Sequence, residues 1–317
     1  MSVSFRSLSC NRPLISLPNL LPKWIGIAAL LFLALATAPS LRADLDPDWT
    51  TSLPPFRIAG NLYYVGSKDL ASFLVTTPAG LILINSNLTS SPAQIETSVE
   101  KLGFHFRDIK ILLISHGHYD HCAGSSEILR KTHAKYMVMD ADVPLIQSGG
   151  RTDFHYANDP SMRFPSAHVD RILHDEDQVT LGGVTLVAHK TAGHTKGCTT
   201  WTMLVHQKDG QKDRTLNVVI VGSPNANSGY KLVNNPKYLA IASDFKRQFQ
   251  TLNALPCDIF LGAHGGYFDL LEKSTRLNAT NTDTSSNPFI DPAGYKAFVA
   301  NRQQAFETEL KKQQTAR

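Results

Sequence analysis

Four side chains able to bind a metal fall within six residues, in the run His116-Gly117-His118-Tyr119-Asp120-His121. Imidazole nitrogen and carboxylate oxygen are the donor types that suit zinc. One ion cannot easily use four donors so close together in sequence. Divided between two adjacent ions the alternation makes sense, with His116 and His118 facing one way and Asp120 and His121 the other. Two more histidines lie in matching contexts. His194 sits in TAGHTKGCTTW, where Gly193 and Gly197 permit a tight turn, and His264 closes CDIFLGAH ahead of Gly265-Gly266. A lone histidine after an apolar run is usually structural, but beside the 116–121 cluster these two read as ligands. His105, His133, His155, His168, His174, His189 and His206 have no such context and read as structural or solvated. No serine stands in an S-x-x-K arrangement that would suggest a protein nucleophile.

The elements that must position these groups follow from the apolar pattern. IKILLIS (109–115) is a continuous apolar run, as expected of a strand covered on both faces, and the ligand cluster starts where it ends. Upstream, NLYYV, ASFLVTT and LILINS read as strands, the last two joined by a Pro-Ala-Gly turn. Further strands are expected at 136–139, in VTLGGVTLVAHKTA, in CTTWTMLVH and LNVVIVGS as a hairpin, and in CDIFLGAH. Helices are predicted over 92–102 with Ser90 or Ser91 as the cap, then 125–133, 141–147, 236–255 and 295–313. Residues 149–166 show no period and form a long loop, a feature that is more often functional than not. Trp201 reads as core. Strands and helices come in two successive rounds with no break in composition, which predicts one α/β domain with sheets inside and helices outside.

The chain of 317 residues has 42% hydrophobic and 18% charged residues, ordinary for a folded globular protein. Its net charge of +4 is spread along the sequence, so no nucleic-acid partner is expected. Arg6, Arg12 and Lys23 precede the uncharged stretch Ile25 to Ala38, which is shorter than the roughly 20 residues of a membrane span. Residues 1–43 therefore read as a removed signal peptide, with cleavage after Ala43 and an uncleaved anchor as the alternative. The expected product is a single domain over 44–317, periplasmic or secreted, with no membrane attachment after cleavage. Cys122, Cys198 and Cys257 would remain, an odd number that excludes a disulfide scaffold.

H-x-H-x-D-H followed by G-H-T-x-G resembles the signature of the metallo-β-lactamase superfamily, and the likeness extends over nearly all of residues 56–313. It implies an αββα sandwich with a di-zinc site at the edge between the two sheets. It also implies two Zn²⁺ per chain, the first held by His116, His118 and His194, the second by Asp120, His121 and His264. Many hydrolases of this superfamily carry a metal-bridging Gly-Asp after the hairpin strand; here the stretch is Val221-Gly222-Ser223-Pro224, without a carboxylate. With Ser223 in place of a cysteine ligand and His121 after the motif's Asp, the pattern resembles the third subclass of class B β-lactamases. GYKLVNNPKY (229–238), ALPCDIFLGAH (254–264) and NPFIDPAG (287–294) are similar to that subclass as well.

That resemblance implies zinc-dependent hydrolysis of β-lactams (penicillins, cephalosporins and carbapenems) and hence antibiotic resistance, with no obligate protein partner. Asp120 would orient the attacking hydroxide, and Ser223 and Asn225 would contact substrate. Phe154, Tyr156 and Phe164 of the long loop either cover the groove or pack beneath it. The alternative is another di-zinc hydrolase of lactonase or thioesterase type. Tyr295 stands where the resemblance would place the disulfide partner of Cys257, leaving that bridge without a second cysteine. Cys122 and Cys198 read as buried thiols, with a rearranged bridge as the alternative.

Overall fold

Apolar residues of the first strands divide by parity between two cores, which defines the layers. The computed structural model describes Met1 and residues 46–209, 212–279 and 287–316. Contacts separate the chain into Met1–Ala43 and Asp44–Arg317, and the second unit carries the sheets and helices. The predicted signal peptide and its cleavage site lie outside the described residues.

One sheet has seven strands in sequence order: β1 (Phe56–Ala59), β2 (Leu62–Tyr64), β3 (Phe73–Thr77), β4 (Gly80–Ile84), β5 (Ile109–Leu113), β6 (Lys135–Met139) and β7 (Arg171–Leu173). The other has five, β8 (Asp177–Leu181), β9 (Val184–Lys190), β10 (Thr199–Asp209), β11 (Lys212–Val221) and β12 (Ile259–Gly262), in the order β12-β11-β10-β9-β8. Phe73, Val75, Ile82, Ile84, Ile111 and Leu113 join the core between the sheets. Their neighbours Leu74, Leu81, Leu83 and Leu112 turn to a second core under α1 (Ser91–Lys101) and α3 (Ser125–Thr132). Period-two alternation with both faces covered explains the continuous apolar runs. On the far side, Phe245 of α5 (Ile241–Ala254) stacks on Phe306 of α7 (Pro292–Thr315), Phe249 lies tilted against the same ring, and all three join the core that includes β11 and β12. The expected αββα sandwich is the fold. Trp201 is core, its indole Nε1 donating to Ile114 O at 3.0 Å from one sheet to the other.

Two helix predictions need correction. The span 236–255 is helical only from Ile241. Asn234 has φ +52°, and the Asn235 side chain accepts from Lys237 N at 3.0 Å, so a side-chain turn occupies the residues around Pro236. The C-terminal helix starts at Pro292 rather than 295, capped by Asp291, whose carboxylate accepts from Gly294 N at 2.8 Å. A helix at α6 (Leu270–Ala279) was not anticipated, nor was β7, and the segment 141–147 splits into a 3₁₀ turn and α4 (Val143–Ser148). Cys122, Cys198 and Cys257 are unpaired, and burial pushes Cys198 and Cys257 up to about 12. Among the described residues no helix is long and apolar enough to cross a membrane.

Candidate metal centre

β9 and β10 are antiparallel, β10 and β11 are antiparallel, and β11 and β12 are parallel, so β9, β11 and β12 all end at one edge of their sheet. There the two sheets are stitched together. Thr199 N donates to Ser115 O at 2.7 Å and Ala71 N to Ala263 O at 3.0 Å. His194 lies in the β9–β10 connection, His264 follows β12, and the 116–121 run follows β5 with its last ligands on the short α2 (Tyr119–Cys122). The edge between the sheets thus gathers all six predicted ligands.

Local devices hold each loop. Asn85, at φ +68°, accepts from Ser115 N at 2.7 Å through Oδ1 and donates to Ala71 O at 3.1 Å, fixing the residue before His116. Gly193 has φ +145°, and a Cβ there would meet the Phe245 ring at 2.7 Å, so only glycine admits this turn into His194.

The ligand atoms converge in two sets. Those of His116, His118 and His194 lie within 4.8 Å of one another, as do those of His116, Asp120 and His121. His118 Nδ1 is 3.0 Å from His194 Nε2. His264 Nε2 is 3.2 Å from His121 Nε2 and 3.6 Å from Asp120 Oδ2, and His121 Nε2 is 3.2 Å from Asp120 Oδ2. The opposite ring nitrogens largely face protein partners. His194 Nδ1 donates to Asn225 O at 2.8 Å, His264 Nδ1 lies 2.8 Å from Asp69 Oδ2, and His116 Nδ1 is 3.3 Å from Ser115 Oγ. His118 Nε2 faces Asp153 Oδ2 at 3.3 Å. The hydrogen bonds at His194 and His264 select the tautomer that leaves the inner nitrogen free to bind metal.

A direct test of fit is His116 Nε2, a buried ring nitrogen with no hydrogen-bond partner. Leaving it unpaired would cost roughly 1–3 kcal/mol; a bound metal would take that lone pair. Three protein donors per set, with room for a fourth ligand, is the arrangement of a catalytic zinc site. Electrostatics agree. Burial first, and His118 next, hold His194 down at about 3, so it stays neutral. Burial would raise Asp120, but His121 and His264 outweigh it and keep the carboxyl well below its usual range. Burial likewise pulls His264 down, yet Asp120 and Asp69 carry it up to about 9, so this imidazole holds a proton that a bound ion would displace, and the negative charge gathers on its side of the site.

The groove over these atoms holds about 250 Å³ and is lined by Trp49, Tyr119, Tyr156, Met162, Phe164, Asn225 and Tyr267 as well as His118, Asp120, His194 and His264. Tyr156 and Phe164 therefore face it, whereas Phe154 packs beneath the loop against Tyr230 and Tyr238, at 5.0 and 5.1 Å between ring centres. Asn225 lines the groove, with Nδ2 donating to Tyr267 OH at 2.8 Å. Ser223 is buried behind it, with its hydroxyl 3.2 Å from the same phenol, and reaches the groove only through Tyr267. Sequence reasoning missed Trp49, Asp69, Asp153 and Tyr267. Asp69 accepts from Trp49 Nε1 at 3.1 Å and Gly266 N at 3.0 Å while it meets His264.

Comparisons with known proteins agree with this geometry. A family model described as the metallo-beta-lactamase superfamily matches residues 71–205. The native FEZ-1 metallo-beta-lactamase from Legionella gormanii is 54% identical, with a TM-score of 0.80 over 84% of this chain and 98% of that one. BJP-1, a subclass B3 metallo-beta-lactamase of Bradyrhizobium japonicum, is 34% identical, with a TM-score of 0.76 over 85% of this chain and 98% of that one. The metallo-beta-lactamase GOB-18 from Elizabethkingia meningoseptica is 33% identical, with a TM-score of 0.78 over 85% and 96%. With this fold, both ligand sets and full-length likeness to those enzymes, the chain belongs to the metallo-β-lactamase superfamily and stands with its subclass B3 members.

Proposed function

We propose that this protein hydrolyses the amide bond of β-lactams with two zinc ions, one held by His116, His118 and His194 and the other by Asp120, His121 and His264. The observation that carries this reading is the 54% identity to a metallo-beta-lactamase across 98% of its length, with both ligand sets intact. Val221-Gly222-Ser223-Pro224 adds to it, because no carboxylate follows β11 to bridge the ions as in many other hydrolases of the superfamily.

Bound zinc supplies Lewis-acid polarisation of a carbonyl and lowers the pKa of water to about 7. The protein's own groups do the rest. Asp120 stays ionised beside His121 and His264, so its carboxylate would accept a hydrogen bond from an attacking water and orient it. Neutral His194, oriented by Asn225 O, and His118, with Asp153 Oδ2 3.3 Å behind it, would hold the first ion with their inner nitrogens. Trp49, Tyr156 and Phe164 wall the groove with apolar surface that excludes water around a bicyclic ring. The Asn225 amide, on the groove wall beside Tyr267, hydrogen-bonds the substrate carboxylate; Ser223 supports that contact through Tyr267. Action on β-lactams also fits export to the periplasm or beyond, which we propose on the strength of the N-terminal sequence.

The test is steady-state hydrolysis of a penicillin, a cephalosporin and a carbapenem by purified protein lacking residues 1–43, before and after chelation. Turnover that EDTA abolishes and zinc restores is expected. Full zinc loading with all three rings left intact would overturn the proposal and move attention to lactone and thioester substrates.

A further inference from the structure

Asp142 is an acidic residue in the N-cap position of α4 that makes no capping bond to its own helix. An N-cap aspartate ordinarily accepts from the first-turn amides. Here the carboxylate, 1% exposed, reaches across to the two loops that carry the first ligand set. Its Oδ2 accepts from Gly117 N at 2.8 Å, between His116 and His118, and from Thr195 Oγ1 at 2.7 Å, beside His194. Its Oδ1 accepts from Gly197 N at 2.8 Å. The approach is tight: a Cβ on Gly197 would meet Asp142 N at 2.5 Å, and one on Gly117 would meet Leu145 of α4 at 2.8 Å. β5 and β9 belong to different sheets, so the separation of the His116-His118 pair from His194 is not set within either sheet.

We infer that Asp142 is a positioning residue that locks the two loops together and so sets the spacing of the first metal site, without touching metal or substrate. The second set has its own brace in Asp69, which holds His264 at 2.8 Å and Gly266 N at 3.0 Å, and Asp142 makes no hydrogen bond to that side. The effect of Asp142 is therefore confined to one site. This inference rests on the reading of His116, His118 and His194 as zinc ligands.

Asp142→Asn keeps the side-chain volume but turns one acceptor oxygen into a donor, leaving either the Gly197 amide or the Gly117 and Thr195 donors facing an NH₂ group. The experiment measures zinc affinity by competition with a chromophoric chelator in two backgrounds. His264→Ala leaves the first set intact, and His194→Ala disables it while sparing the second. D142N is expected to weaken zinc binding roughly 10- to 100-fold in the first background and by less than about threefold in the second. An unchanged first-site affinity overturns the inference, as does an equal loss at both sites, which would mean a general structural role. If D142N does not fold, Thr195→Val removes one bond to the same carboxylate. It should show a smaller loss with the same selectivity, and no selectivity would again overturn the inference. Zinc binding by the parent chain is measured first; a parent that binds none defeats the metal-centre reading itself, separately from the role of Asp142.

Discussion

The two ligand sets sit side by side yet are built differently. His116, His118 and His194 are three buried imidazoles, two of them oriented by neutral oxygen atoms, the Ser115 hydroxyl and the Asn225 carbonyl, with a carboxylate only behind His118. The second set places one carboxylate, Asp120, among the donors and another, Asp69, behind His264. The first has no anionic donor, and its loops are joined by hydrogen bonds through Asp142. The second gathers negative charge and has the more exposed member, with the His264 side chain 19% accessible. An anionic donor compensates for weaker enclosure, because charge attracts a divalent ion where packing does not confine it.

Mutations can break this contrast at several levels. His116 belongs to both clusters of ligand atoms, so His116→Ala should do the most harm. It should lose several kcal/mol of transition-state stabilisation, roughly a thousandfold or more in kcat/KM, with zinc content falling at the first site. Asp120→Asn should lower kcat by about 100-fold at saturating zinc, because the amide orients hydroxide poorly. If it changed zinc content alone, with kcat intact in excess zinc, Asp120 would be a ligand and nothing more. Asp69→Asn should weaken the second zinc by about 10-fold while sparing the first, measured by chelator competition. The smallest effect is expected from Asn225→Ala. Its main-chain bond to His194 remains and one substrate hydrogen bond of about 1 kcal/mol is lost, so KM should rise about fivefold with little change in kcat.

The contrast also explains what could be read from the sequence. Ligand types, their grouping and the strands that carry them are local signals: apolar runs of period two, followed by histidine and glycine. Sheets inside and helices outside follow from those runs, whereas the αββα arrangement was implied by the family resemblance. The supporting carboxylates are not local. Asp69 meets a histidine 195 residues away, and Asp142 meets amides 25 and 55 residues away. Each acidic residue looks like any other in a loop until the sheets pack. The start of α5 differs from the prediction for a local reason instead. Propensity allows a helix from Pro236, but the side-chain bond from Asn235 to Lys237 N competes with it locally. Phe154 and Phe164 looked alike in the unpatterned loop, yet one packs on Tyr230 and the other faces the groove.

The most direct test of the central claim is a zinc titration of the metal-free protein in which bound zinc and carbapenem hydrolysis are followed together. Two ions per chain should bind, the first at the three-histidine set, with turnover reaching its plateau once both are filled. Both sites filling without turnover, or turnover that persists with neither filled, would contradict the account.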